Sequence, residues 1–433
     1  MLEEWEDKEI LILGFGKEGK DALNFLRKIF PKKILGIADE NESVKKKIKK
    51  VRWHLGKDYL RALKKYRIIV KSPGIPPKIL KKYIKKNQIL TSTTEIFFEN
   101  CRGKIIGITG TKGKGTCATL IYKILKEANF KVHLVGNIEK PPLKFLFLPT
   151  EDRIFVFELS AQQLIFLKKS PQIAVFLNIF PAHLDFFESF KDYVKAKMNI
   201  FLYQKEKDFL IYNSSDKILK KLVKKAKSKK IAFDKNLKKN LKKIKPKIPA
   251  HHNLFNISAA IEVAKIFKVP KKIYKKVIEN FEGLPHRLEF VGKFRGINFY
   301  NDSLATIPQA TISDLKSFSG KVFTLICGGF DSKVSFSQLA KEILKNKVKC
   351  LILFLPTGLK IWREILKIKK IPKIMSFFAK DMEEAVRLAF LVTKKNKICL
   401  LSPASPSFGN FRDYKERGNL FKKFVKKYGT KKT

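Results

Sequence analysis

KIIGITGTKGKGT, residues 104–116, is an apolar run that feeds a glycine-rich loop, and a helical pattern follows it. A strand–loop–helix of this kind lets successive backbone N–H groups cradle phosphate oxygens. The loop candidates are Gly110, Thr111, Lys112, Gly113, Lys114, Gly115 and Thr116, with Lys114 spaced to reach β/γ oxygens. One departure matters. Such loops usually carry Ser or Thr directly after the lysine, as a Mg2+ ligand. Here that place is Gly115, and the hydroxyl comes one residue later on Thr116.

Working outward, the chain reads as three blocks. Before the loop, EILILGFG, KILGIAD and YRIIVKSPGI alternate with lysine-rich helical patterns. After it come RIFVFELS, QIAVFLNIF and DFLIYN, and the block ends near GLPHRLEF. A third block holds FRGINFYNDS, KVFTLICGG, VKCLILFLP and KICLLSPAS, each followed by a helical segment. This βαβ rhythm predicts an α/β protein with mostly parallel sheets. The expected division is a Rossmann-like domain over 1–98, a central P-loop-type domain over 99–288 and a Rossmann-like domain over 289–433. Ligand residues are expected at the carboxyl ends of strands, where open α/β sheets bind.

The 433 residues carry 92 Lys+Arg against 39 Asp+Glu, a net charge of +53, with 45% apolar residues. That apolar share excludes a disordered chain. No apolar run reaches the roughly 18 residues of a membrane span. The start, MLEEWEDKEI, is acidic and has no signal-peptide core. Five scattered cysteines argue against a disulfide framework or a zinc site and fit a reducing cytosol. The lysines are spread along the chain, densest over Lys217–Lys247, and read as solvated helix faces. Nucleic acid is therefore not expected as a partner, although the excess favours anionic small substrates.

Four other places carry chemistry. Gly14-Phe15-Gly16-Lys17-Glu18-Gly19 follows one strand, and Asp39 closes the next, where it can hold a ribose hydroxyl. RIFVFELS ends on Glu158 and Ser160, and QIAVFLNIFPAHLD on Asn178, His183 and Asp185; a carboxylate past an apolar strand suits Mg2+. Taken alone, His183 reads more readily as a structural histidine than as a ligand, and Lys197 as a solvated helix residue. YNDSLATIPQAT and ICGGFDSK each close a strand. LLSPASPSFGNFRDYKERG has the Ser, Pro and Gly content of a loop able to hold a carboxylate.

Together GITGTKGKGT, FELSAQQL, NIFPAHLD, HNLFN, GLPHR, NDSLAT and LSPASPSFGNFRDYKERG resemble the Mur ligase family, in order and over nearly the whole chain. The last motif resembles the branch that adds D-glutamate. The resemblance implies a cytoplasmic, monomeric ATP- and Mg2+-dependent amide ligase that joins D-glutamate to UDP-N-acetylmuramoyl-L-alanine. It implies that Gly14, Phe15, Gly16, Asp39, Ser72, Gly74, Asn137 and Ser160 bind the nucleotide sugar. Asn253, Asn256 and Arg287 join the phosphate loop in binding ATP. Lys114, Glu158, His183 and Lys197 are the implied catalytic residues. Thr116, Glu158, His183 and Lys197, the last as a carbamate, are the implied metal ligands, with His286 nearby. Thr306, Lys333, Ser407, Phe408 and Tyr414 are the implied D-glutamate contacts. Two departures are Leu304, where many relatives carry lysine, and Tyr414, where phenylalanine is common.

Four rivals remain at this point. A dinucleotide oxidoreductase leaves the second phosphate loop unexplained. A nucleic-acid-binding ATPase leaves LSPASPSFGNF unexplained, and it predicts salt-sensitive binding. A ligase for another amino acid, or a homologue without turnover, differs only at the third block and at Gly115 and Leu304.

Overall fold

The computed structural model describes residues 2–80, 82–136, 141–183, 186–235, 237–246, 251–332 and 334–430, without the side chains of Lys238, Asn240, His251 and His252. Three sheets follow one another along the chain. The first comprises β1 (Ile10–Leu13), β2 (Leu35–Asp39), β3 (Val51–Leu55), β4 (Ile68–Lys71) and β5 (Ile89–Thr91), in spatial order β3-β2-β1-β4-β5. The second comprises β6 (Lys104–Thr109), β7 (Val132–Gly136), β8 (Ile154–Glu158), β9 (Ile173–Phe176), β10 (Phe209–Tyr212) and β11 (Lys229–Ala232), in order β11-β10-β9-β6-β8-β7. The third comprises β12 (Glu289–Phe294), β13 (Ile297–Asn301), β14 (Val322–Gly328), β15 (Cys350–Phe354), β16 (Met375–Phe378) and β17 (Ile398–Leu401), in order β12-β13-β17-β14-β15-β16.

All described pairings are parallel except β12 with β13. Parallel strands need crossovers, and helices supply them, so inner strands are covered on both faces. Their residues show it: β1, β4, β8, β9, β14, β15 and β17 are buried throughout.

Two compact units result: Met1–Pro246 with His251–Asn280, and a second containing Phe281–Thr433. In the first unit the helix Thr93–Asn100 leads from sheet one to sheet two. Ser92 caps it by accepting from Glu95 N. Its Phe97 and Phe98 rings pack 5.1–5.8 Å from Phe155 and Phe157 of β8, so both sheets share one apolar core. In the second unit the faces of sheet three bury separate clusters, one around Ile326, Ile352 and Leu401, the other around Leu325, Leu351 and Leu400.

One reading is corrected. LLSPASPSFGNFRDYKERG is not loop throughout, because the helix Tyr414–Thr430 begins inside it. Asp413 accepts from Glu416 N at 2.8 Å, and Glu416 accepts from Arg412 N at 2.6 Å. This reciprocal cap starts a helix that Ser, Pro and Gly content hides. All five cysteines are buried and unpaired. No described helix is long and apolar enough to cross a membrane.

Candidate active site

β6 sits inside sheet two with β8 and β9 on either side, so the chain reverses its strand order there. Such a switch point opens a crevice beyond the strand ends. Residues 110–113 turn across it, and the helix Lys114–Glu127 starts at Lys114 with Gly113 as its cap. Gly113 has φ +87°, and a Cβ there would stand 2.5 Å from Asn256 Oδ1. Glycine therefore lets the helix His251–Ile266 bring Asn256 against the loop, where its Nδ2 donates to Asn253 Oδ1 at 3.2 Å. The loop is also held from the segment just past β9: Lys112 N donates to Asn178 Oδ1 at 2.9 Å and Asn178 Nδ2 to Lys112 O at 3.0 Å.

Lys114 folds back over the loop and donates to Gly110 O at 3.0 Å and Thr111 O at 3.3 Å. Lys197, on the helix Phe190–Met198, is 1% exposed and not a solvated residue. Its Nζ donates to Thr109 Oγ1 at 3.0 Å and Gly110 O at 2.9 Å. It lies 5.1 Å from the Tyr193 ring. Burial, with the neighbouring Lys114 charge, holds Lys197 well below the usual lysine range, against the pull of Glu158. Glu158 is 4% exposed at the end of β8. So Lys114, Lys197 and Glu158 gather around the end of β6, and Thr116, itself buried, lies in the first turn of the helix that follows the loop. His183 lies on an exposed turn at φ +55°, its ring 6.2 Å from that of Tyr193.

Among the described residues, no group of three or more His, Cys, Asp or Glu forms a metal cage. That donor set still suits Mg2+, which keeps waters and takes one or two carboxylates together with substrate phosphates. Glu158 offers a carboxylate and Thr116 a hydroxyl. An ammonium on Lys197 would oppose the ion, whereas a carbamate would supply oxygens.

In sheet one, Gly14 turns at φ +90°, where a Cβ would meet Ser72 Cβ at 2.8 Å. Ser72 Oγ donates to Gly14 O at 2.8 Å, which joins the two loops. Asp39 accepts from Phe15 N at 2.6 Å, while the Phe15 ring is buried edge-on to Trp53. Gly16 and Gly74 border open space. Ser160 caps the helix Ala161–Leu164 in a box with Gln163, and Gln163 Nε2 donates to Glu18 Oε1 at 2.9 Å.

In the second unit Arg287 lowers the pKa of Asp302, which burial and Asp314 nonetheless raise well above the usual carboxylate range. Thr306 follows β13, and Ser407 (buried) and Phe408 (60% exposed) follow β17, the neighbouring strand. Phe408 meets the Phe330 ring edge-on at 6.2 Å. Tyr414 stacks edge-on to His286 at 6.2 Å. Asn137 and Lys333 lie outside the described residues.

Two residues were missed by sequence reasoning. Tyr193 stands four places before Lys197, the spacing of one helix face, and its hydroxyl pairs with Thr111 Oγ1 at 3.0 Å. Lys71, the last residue of β4, is 1% exposed; its Nζ donates to Ser72 O at 2.7 Å and Ile75 O at 2.8 Å. Burial lowers its pKa to about 7, against the pull of Glu18. A lysine ending an apolar run was the available signal.

Residues 108–275 match the Mur ligase middle domain, and full-length relatives extend the match to both ends: the chain belongs to the Mur ligase family. Among those relatives, the UDP-N-acetylmuramoylalanine--D-glutamate ligase of Acetivibrio thermocellus is 35% identical over 97% of this chain and 96% of its own length. The ligase of the same name from Aquifex aeolicus is 35% identical over 98% and 100%. Two solved structures share the fold. The MurF ligase of Thermotoga maritima has a TM-score of 0.58 at 18% identity, covering 97% of this chain and 95% of that one. The MurC ligase of the same organism has a TM-score of 0.55 at 15% identity, covering 98% and 100%.

Proposed function

We propose that this chain is an ATP-dependent ligase that joins D-glutamate to UDP-N-acetylmuramoyl-L-alanine, in the cytoplasm and as a monomer. The observation that carries the reading is the gathering of Lys114, Lys197 and Glu158 around the end of β6, in a chain 35% identical end to end to ligases of that name. The residues over 1–98 would bind the nucleotide sugar, those over 99–288 ATP, and those over 289–433 the amino acid.

A free carboxylate is a poor acyl donor. One oxygen of the L-alanyl carboxylate attacks the γ-phosphorus, and the bond to ADP breaks. The amine of D-glutamate then attacks the acyl carbon and loses a proton. Phosphate leaves and takes that carboxylate oxygen with it. Catalysis here is positioning and charge neutralisation. Backbone N–H groups of residues 110–116 cradle phosphates, and Lys114 swings from its carbonyl partners to the transferring group. Glu158, Thr116, His183 and a carbamylated Lys197 would hold Mg2+, which neutralises phosphate charge when bound. A buried lysine with a depressed pKa is neutral often enough to add CO2. Asn253 and Asn256 would hold the adenine side and Arg287 a phosphate. Thr306, Lys333, Ser407, Phe408 and Tyr414 would receive D-glutamate.

The test is phosphate release from ATP and Mg2+ with the nucleotide sugar, comparing D-glutamate, L-glutamate, L-lysine and no amino acid. Release that requires both the nucleotide sugar and D-glutamate supports the reading. Release with another amino acid moves the chain to a different branch, and release with none overturns it.

A further inference from the structure

Arg417 is fully buried, at 0% exposure, in the first turn of the helix Tyr414–Thr430. Buried cations are normally matched by a carboxylate. Arg417 has none among the described residues, and all its partners are a hydroxyl and carbonyls. Nε donates to Ser303 Oγ at 3.0 Å, Nη2 to Ser303 O at 2.9 Å and Nη1 to Ser405 O at 3.1 Å. Ser303 Oγ in turn donates to Tyr414 O at 2.8 Å, which closes a ring back to the helix that carries the arginine.

Those bonds join two separate loops. Ser303 follows β13 and leads to Thr306, while Ser405 follows β17 and leads to Ser407 and Phe408. The loop after β14 meets them at the same place. Phe330 N donates to Pro406 O at 3.1 Å, and a Cβ on Gly329 would lie 3.5 Å from Nη1. The guanidinium thus lies where three strand-end loops converge. A planar fork fixes the angle between its acceptors, which a single ammonium cannot do. With no ion pair to make, directional donation to the loops is what the arginine contributes.

We propose that Arg417 is the positioning residue of the amino-acid pocket: its fork sets the spacing between the Ser303–Thr306 loop and the Ser405–Phe408 loop. This rests on the reading of those loops as the acceptor site. Arg417→Lys keeps the charge and loses the fork, and Ser303→Ala removes one acceptor.

With the full chain, ATP, Mg2+ and nucleotide sugar, initial rates are measured against D-glutamate. The expected result is a KM for D-glutamate raised about tenfold or more in Arg417→Lys and about threefold in Ser303→Ala. The KM values for ATP and nucleotide sugar stay at the wild-type level. A lower active fraction with unchanged KM, or all three KM values rising together, overturns the proposal. If Arg417→Lys does not fold, Ser303→Ala decides by the same criterion. Wild-type protein without D-glutamate-dependent release is a failure of the functional reading. Hydrogen exchange over 303–306 and 405–408 then still decides the structural role. Both segments lose protection together in Arg417→Lys, or else the fork does not set their spacing.

Discussion

Lys71 and Lys197 are both 1% exposed, both lie in the first unit beside a glycine-containing turn, and burial lowers the pKa of both. Their surroundings differ. Lys71 points its donors into the turn it precedes, at Ser72 O, Ile75 O and, at 3.5 Å, Pro73 O. Glu18 supplies the opposing charge. It is a clamp, and its hydrogen-bonding capacity is used within the protein. Lys197 stands between a second lysine, Lys114, and a carboxylate, Glu158, at the mouth of the phosphate loop. Burial and the second cation both favour the neutral amine there, and they outweigh the pull of the carboxylate. The same residue type at the same burial therefore serves two ends, and the neighbouring charges decide which.

Three substitutions or titrations can break or sharpen that contrast. The largest effect is expected from Lys197→Met, which should lower kcat by about 10²–10³-fold with the fold intact. A carbamate resonance from 13C-bicarbonate should be present in the wild type and absent in this variant. A variant that keeps wild-type kcat would reduce Lys197 to a second clamp. Lys71→Met should leave kcat near wild type and raise the KM for the nucleotide sugar about tenfold, because the Ser72-Pro73-Gly74 turn loses its tie. An unchanged KM would detach Lys71 from the substrate.

The smallest effect is on stability. Lys71 titrates near 7 when folded, against 10.5 in its unperturbed state. Between those values the unfolded chain binds more protons, so stability should rise with pH from 7 towards 10. Chemical denaturation at pH 7, 8 and 9 should show a shallower rise in Lys71→Met than in wild type. Parallel curves would place the titration elsewhere.

How much of this was legible follows burial. The sheets hold seventeen described strands, and six of them are edges: β3, β5, β7, β11, β12 and β16. The eleven inner strands are the runs that sequence reading identified. β14, VFTLICG, is buried at every residue, and such a run stands out. An edge strand such as β11, KKIA, is half in solvent and reads like the lysine-rich helices around it. The site divides in a similar way. Gly113, Lys114 and Glu158 sit where an apolar run ends, and that context marks them. Arg417 is one of 92 basic residues with no such context, so only its burial distinguishes it, and Lys71 shares the apolar-run context but lies in no recognisable phosphate loop.

The central claim is that the chain activates a substrate carboxylate by phosphorylating it and then passes the acyl group to D-glutamate. Nucleotide sugar labelled with 18O in the L-alanyl carboxylate tests this directly, with the released phosphate read by mass spectrometry. The account expects one labelled oxygen in each phosphate formed with D-glutamate. Phosphate free of label, formed in step with the amide product, would contradict it.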